Sequence, residues 1–132
     1  MSSEVTPSLL VVMAGYAKDN HLRPVAERWL HALRAISSKL VLVYDQDQLN
    51  GVPTSYQNSD DIEIVVTRHG AYDFGSYQRG LAIAEQRRWF DGVSHILLCN
   101  DSVIGPFGSL DAFVRPMLES GDPLWGVTDS NL

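Results

Sequence analysis

The stretch Ser94–Phe107, SHILLCNDSVIGPF, decides how this chain reads. Ile96, Leu97 and Leu98 run without a polar interruption, the pattern of a strand buried on both faces of a parallel sheet. The run then stops at Asn100, Asp101 and Ser102, a carboxylate flanked by two hydrogen-bonding side chains. Ligands of open α/β sheets bind outside the carboxyl ends of the strands. Asp101 is therefore the first candidate site residue, although an aspartate in that place also caps its own turn readily.

The same alternation of apolar runs and polar breaks extends in both directions. Leu9–Met13 is a compact apolar run broken at Ala14-Gly15, as expected of a central strand. Val25, Trp29, Leu33 and Ile36 recur at helical spacing, and Asp19 or Asn20 supplies a cap for that helix. Leu40–Tyr44 predicts a second strand ending at Asp45. A polar connection through Asn50-Gly51 and Pro53 follows it, and then a third strand over Ile62–Thr67. A helix is predicted from about Ser76 to Trp89. Gly80 inside it costs roughly 1 kcal/mol relative to alanine and so calls for a packing or ligand reason. After the Ser94–Phe107 stretch, a short helix is expected over Asp111–Leu118 and a short strand at Leu124–Val127.

Strands and helices in this order imply an α/β fold, a mostly parallel Rossmann-like sheet with helices on both faces. The carboxyl ends of the strands then bring Gly15-Tyr16, Asp45, His69-Gly70 and Asn100-Asp101 to one rim. That convergence is the physical argument for a site.

Composition narrows the ligand. The chain has 132 residues and a net charge of −6, with no cluster of Lys or Arg, so no nucleic-acid partner is expected. Its single cysteine, Cys99, excludes an internal disulfide and a cysteine metal cage. The polar start MSSEVTPS has no basic leader region, and the expected compartment is the cytoplasm. No dinucleotide or P-loop glycine pattern is present. A receiver-like domain lacks its acidic cluster after the first strand. A diphosphate held through Mg or Mn fits better, with Asp101 as metal ligand and Asp45 on the same rim. His69 reads either as an acid–base group or as a polar loop residue. Tyr72, Phe74 and Tyr77 read either as an aromatic wall for a base or sugar or as core.

Three segments resemble the rhamnan synthesis F family of bacterial polysaccharide proteins: His69–Leu81 (HGAYDFGSYQRGL), Leu98–Phe107 (LCNDSVIGPF) and Trp125–Thr128 (WGVT). The resemblance runs from about Leu9 onward. It implies a glycosyltransferase-like domain of the GT-A type over residues 1–132, with residues 1–8 as a flexible lead-in. The implied activity is transfer of a sugar from a nucleotide-diphosphate donor, dTDP-rhamnose for a rhamnosyltransferase, to a glycan acceptor of the cell surface. It further implies a divalent metal (Mg or Mn) at Asp101, and donor contacts from Asp45, Asp73, Gly75, Ser76, Arg79, Asn100 and Ser102. His69 is the candidate base. The acidic motif here has one carboxylate where the family type has two, and a GT-A domain generally continues well past this length. The alternative is a non-catalytic nucleotide-sugar-binding or assembly module lacking the acceptor half. Expected associations are a homo-oligomer or the rest of a larger transferase, with attachment to the inner face of the membrane through partners.

Overall fold

A computed structural model describes residues 8–101 and 110–121. Four strands alternate with helices: β1 (Leu9–Gly15), α1 (Pro24–Ile36), β2 (Lys39–Tyr44), α2 (Thr54–Gln57), β3 (Ile62–Val66), α3 (Tyr72–Gln86), β4 (His95–Asn100) and α4 (Leu110–Glu119). The sheet is parallel throughout in the order β3-β2-β1-β4. The α/β class expected from the sequence is the one observed. No helix among the described residues is long and apolar enough to cross a membrane.

Every residue of β1 is buried, as are Leu40–Tyr44 of β2, because helices cover both faces of these two strands. On one face, Leu9, Val11, Met13, Leu40, Leu42 and Tyr44 pack with Leu30 and Leu33 of α1 and Val114 of α4. On the other, Leu10, Val12, Val41 and Val43 pack with Ala84 of α3 and with Trp89. Continuous apolar runs are what such double burial requires.

The strand order places the site. The chain moves from β1 outward through β2 to β3, then crosses back by α3 to β4 on the other side of β1. Between β1 and β4 the direction of winding reverses, the place beyond the strand carboxyl ends where open α/β sheets form a ligand-binding crevice. Gly15, Asn100 and Asp101 stand at that reversal, and the Asp101 amide donates to the Ala14 carbonyl at 3.2 Å.

Four expectations need correction. Strand β4 is not buried on both faces: Ile96 and Leu98 are exposed, because the body of α3 lies over β1 and β2. Helix α1 is capped neither by Asp19 nor by Asn20. Arg23 holds the N-cap without a side-chain cap bond, while Asp19 Oδ1 accepts the His21 amide at 3.2 Å. Helix α3 starts at Tyr72 rather than Ser76, and the chain after Gln86 tightens into a 3₁₀ turn at Trp89–Gly92. The connection expected to be only polar loop contains the single-turn helix α2. The motif residues from Ser102 through Phe107, and the segment Leu124–Val127, lie outside the described residues.

Candidate functional site

Two networks form at the carboxyl rim, and the candidate residues divide between them. The first lies at the β1/β4 crevice. Asn100 Nδ2 donates to Asp73 Oδ2 at 2.8 Å, which fixes the start of α3 to the end of β4. One residue further, Asp101 is buried, 5% exposed. Its partner is Arg23, 78 residues away in sequence, whose Nη2 donates to the Asp101 carbonyl at 2.9 Å. The same nitrogen lies 3.3 Å from Asp101 Oδ2. That approach is an ion-pair contact without hydrogen-bond geometry, so Oδ2 is left buried with no hydrogen-bond partner. Burial pushes the Asp101 carboxyl above the ordinary carboxylate value, against the opposing pull of Arg23.

Tyr44 forms the floor of this crevice. Its ring crosses the end of β1 so closely that a Cβ at Gly15 would come within 2.3 Å of Cε2, which is why glycine ends that strand. The Tyr44 hydroxyl is a second buried polar atom without a hydrogen-bond partner. Burial first, and then the charge of Asp101, push it up to about 12.

The second network joins β2, β3 and α3. Asp45 Oδ1 accepts the His69 amide at 2.9 Å and the Gly70 amide at 3.3 Å. Burial alone would raise this carboxyl, but the two amides, with His69 and Arg68, hold it below the ordinary value. His69 Nε2 lies 2.9 Å from Ser76 Oγ, and Nδ1 lies 3.8 Å from Asp45 Oδ2. These are the residue types of a Ser-His-Asp triad, but the protons are in the wrong places. Nδ1 accepts the Ala71 amide at 3.0 Å, so the network assigns the ring proton to Nε2, which donates to Ser76. A triad base needs the opposite tautomer. The His69 side chain has 0% exposure and Ser76 2%. Here these two residues hold the start of α3 in place. Gly75 belongs to the same contact, since a Cβ there would lie 2.4 Å from Ala71 Cβ and 2.9 Å from His69 Nδ1.

Arg79 Nη1 donates back along α3 to the Gly75 carbonyl at 3.1 Å, so this side chain follows its own helix. The structure therefore pairs Asp73 with Asn100 and Asp101 with Arg23 at the end of β4, and separately brings together Asp45, His69, Gly75 and Ser76. Tyr72 and Phe74 are each 84% exposed at the head of α3, and Tyr72 has a positive φ of 58°. Phe74 meets Tyr77 edge-on at 6.0 Å, and Tyr77 alone of the three joins the core.

Arg23 and Tyr44 are the members that sequence reasoning missed. A signal for Arg23 was present: a cation directly before Pro24 at a helix start opposes the helix dipole and asks for a specific anionic partner.

The fit of a divalent ion follows from these contacts. Mg and Mn take oxygen ligands and retain waters. Asp101 Oδ2 is buried against a guanidinium, Asp45 Oδ1 is committed to backbone amides, and Asp73 Oδ2 to Asn100. Among the described residues no group of three or more His, Cys, Asp or Glu is placed to hold a metal. Among the described residues, these carboxylates do not form a set that fits a resident divalent cation.

Comparison with known proteins gives a distant relationship. Two virulence proteins VirA of Vibrio anguillarum are 28% identical to the chain over 123 residues, which is 92% of this chain and 38% of theirs. The chain thus spans about two fifths of the length of the curated relatives it matches. No family model matches, and no solved structure does. The rhamnan synthesis F resemblance rests on its motifs alone.

Proposed function

We propose that this chain is the donor-binding part of a glycosyltransferase-type protein of cell-surface polysaccharide synthesis, taking a nucleotide-diphosphate sugar in the β1/β4 crevice. The observation that carries the reading is that two polar pairs, Arg23–Asp101 and Asp73–Asn100, both stand at the end of β4, where the sheet winding reverses. Asn100 and Asp73 offer an amide and a carboxylate to sugar hydroxyls, and Arg23 offers a cation to phosphate oxygens. The exposed Tyr72 and Phe74 offer faces on which a base or pyranose ring stacks. The virulence name of the relatives specifies no reaction.

The test is thermal unfolding with a panel of nucleotide sugars, dTDP-rhamnose among them, and free nucleoside diphosphates. A donor at about 100 times its Kd stabilises the fold by roughly 2.7 kcal/mol. No shift with any donor would sink the reading.

A second reading has its own observation. His69, the one candidate base the sequence offers, has no exposed side-chain surface and is engaged at both ring nitrogens. That favours a non-catalytic nucleotide-sugar-binding module. Donor binding without donor hydrolysis or transfer, in the presence of a glycan acceptor, separates it from the enzyme.

A further inference from the structure

We infer that the β1/β4 crevice binds the diphosphate of its ligand directly through the Arg23 guanidinium, without a divalent metal, and that Asp101 anchors this arginine instead of ligating an ion. The inference rests on the donor-site reading above for the identity of the ligand, but its geometry is independent of it. The two contacts to Asp101 both run through Nη2, and the guanidinium also lies beside the Tyr44 hydroxyl, so the donors of the fork are not all turned to Asp101. The Arg23 side chain is 44% exposed while the Asp101 side chain is 6% exposed, so the arginine can be reached from solvent and the carboxylate is shielded.

A long, mobile side chain held at its tip by a buried carboxylate and a carbonyl is already ordered before a ligand arrives. Less entropy is then lost on binding. A planar guanidinium also matches two phosphate oxygens side by side, a geometry that an ammonium point charge lacks. A divalent ion at Asp101, by contrast, would have to displace the guanidinium from a buried carboxylate that belongs to no group of three or more metal-ligating side chains among the described residues. The Tyr44 hydroxyl, buried beside Arg23 and Asp101 without a hydrogen-bond partner, is a donor left unused at the same place.

The experiment is isothermal titration of the 132-residue chain with inorganic pyrophosphate at fixed ionic strength, in EDTA and again in Mn²⁺. Wild-type protein is expected to bind equally in both. Arg23→Gln should weaken binding at least tenfold, while Arg115→Gln on α4 leaves it unchanged. Because Arg23→Gln strands a buried carboxylate, the double variant Arg23→Gln/Asp101→Asn is measured beside it. It should unfold cooperatively and bind as poorly as the single variant. Asp101→Asn alone keeps the backbone carbonyl that holds Nη2 but loses the charged part of the anchor, so it should still bind pyrophosphate in EDTA, more weakly than wild type and more tightly than Arg23→Gln.

Binding that needs Mn²⁺ and is lost in Asp101→Asn would overturn the inference in favour of a metal site. So would wild-type affinity in Arg23→Gln, or no pyrophosphate binding at all. Pyrophosphate bound through Arg23 while every nucleotide sugar and nucleoside diphosphate fails to bind would leave the inference standing and remove the donor reading. Nucleotide sugars bound equally well by Arg23→Gln would do the reverse.

Discussion

Asp45 shows how a residue's position on the rim differs from its task. The sequence places it at the end of β2, level with Asp101, and both residues look equally suited to a ligand. In the fold it turns toward the next strand and accepts the amides of His69 and Gly70. Hydrogen bonds to a charged group contribute about 1.5–3 kcal/mol, so Asp45→Ala should lower stability by about 2 kcal/mol at neutral pH. The pH dependence has a definite sign. The folded carboxyl is held below its ordinary value, so its stabilisation is complete above the unfolded pKa of about 4 and is lost as pH falls through the folded value. Urea unfolding of wild type and Asp45→Ala should give curves that converge as pH falls below about 4. A difference that stays constant down to pH 2 would exclude the carboxylate as its source. His69 conveys the same lesson. The sequence left it open as an acid–base group or a polar loop residue, and only the Ala71 amide on Nδ1 decides the tautomer.

At the scale of elements, α3 is the piece whose seating determines the site, since its first turn supplies Asp73 and its body lies on β1 and β2. The cost of Gly80 in a helix now has its reason. A Cβ there would stand 2.4 Å from Val12 Cγ1 and 3.2 Å from Val43 Cγ2, both on fully buried strands. Alanine gains about 1 kcal/mol of helix propensity. Overpacking a core that cannot yield costs about 1–3 kcal/mol and sets the sign. Gly80→Ala should therefore destabilise the protein in urea unfolding by about 1–2 kcal/mol net. Gly92→Ala, where a Cβ meets nothing within 4 Å, should be neutral or stabilising. Equal effects at the two positions would mean that α3 does not lie on β1 as described. The early start of α3 was not legible, because Tyr72 enters with a positive φ that a tyrosine does not announce.

For the whole molecule, the sheet order has a consequence at β4. Leu97 joins the core on the α1 side, whereas Ile96 and Leu98 point to the α3 face beyond the reach of α3. Leu97→Ala should cost about 2 kcal/mol or more, while Ile96→Ser/Leu98→Ser together should cost less than about 1 kcal/mol in the isolated chain. Chemical denaturation of the three proteins checks this. A large loss in the serine double variant would mean that the outer face of β4 is covered. The relatives extend far beyond the span matched here, so the same pair of residues belongs in any comparison with a longer protein.

The sequence by itself determined the α/β class, the strands β1 to β4 and the candidate rim. Apolar runs, helical spacing and glycine or proline breaks are local consequences of burial and backbone geometry. It also marked Asp101, because a carboxylate ending an apolar strand stands out without any partner in view. Only the tertiary structure decided which rim residues face the crevice and which brace the fold. Arg23 reaches Asp101 across 78 residues, and Asp45 reaches His69 across 24. Pairings of that kind are set by strand order, which places β4 beside β1. No local pattern encodes that order, because it follows from how the helices cover both faces of one sheet.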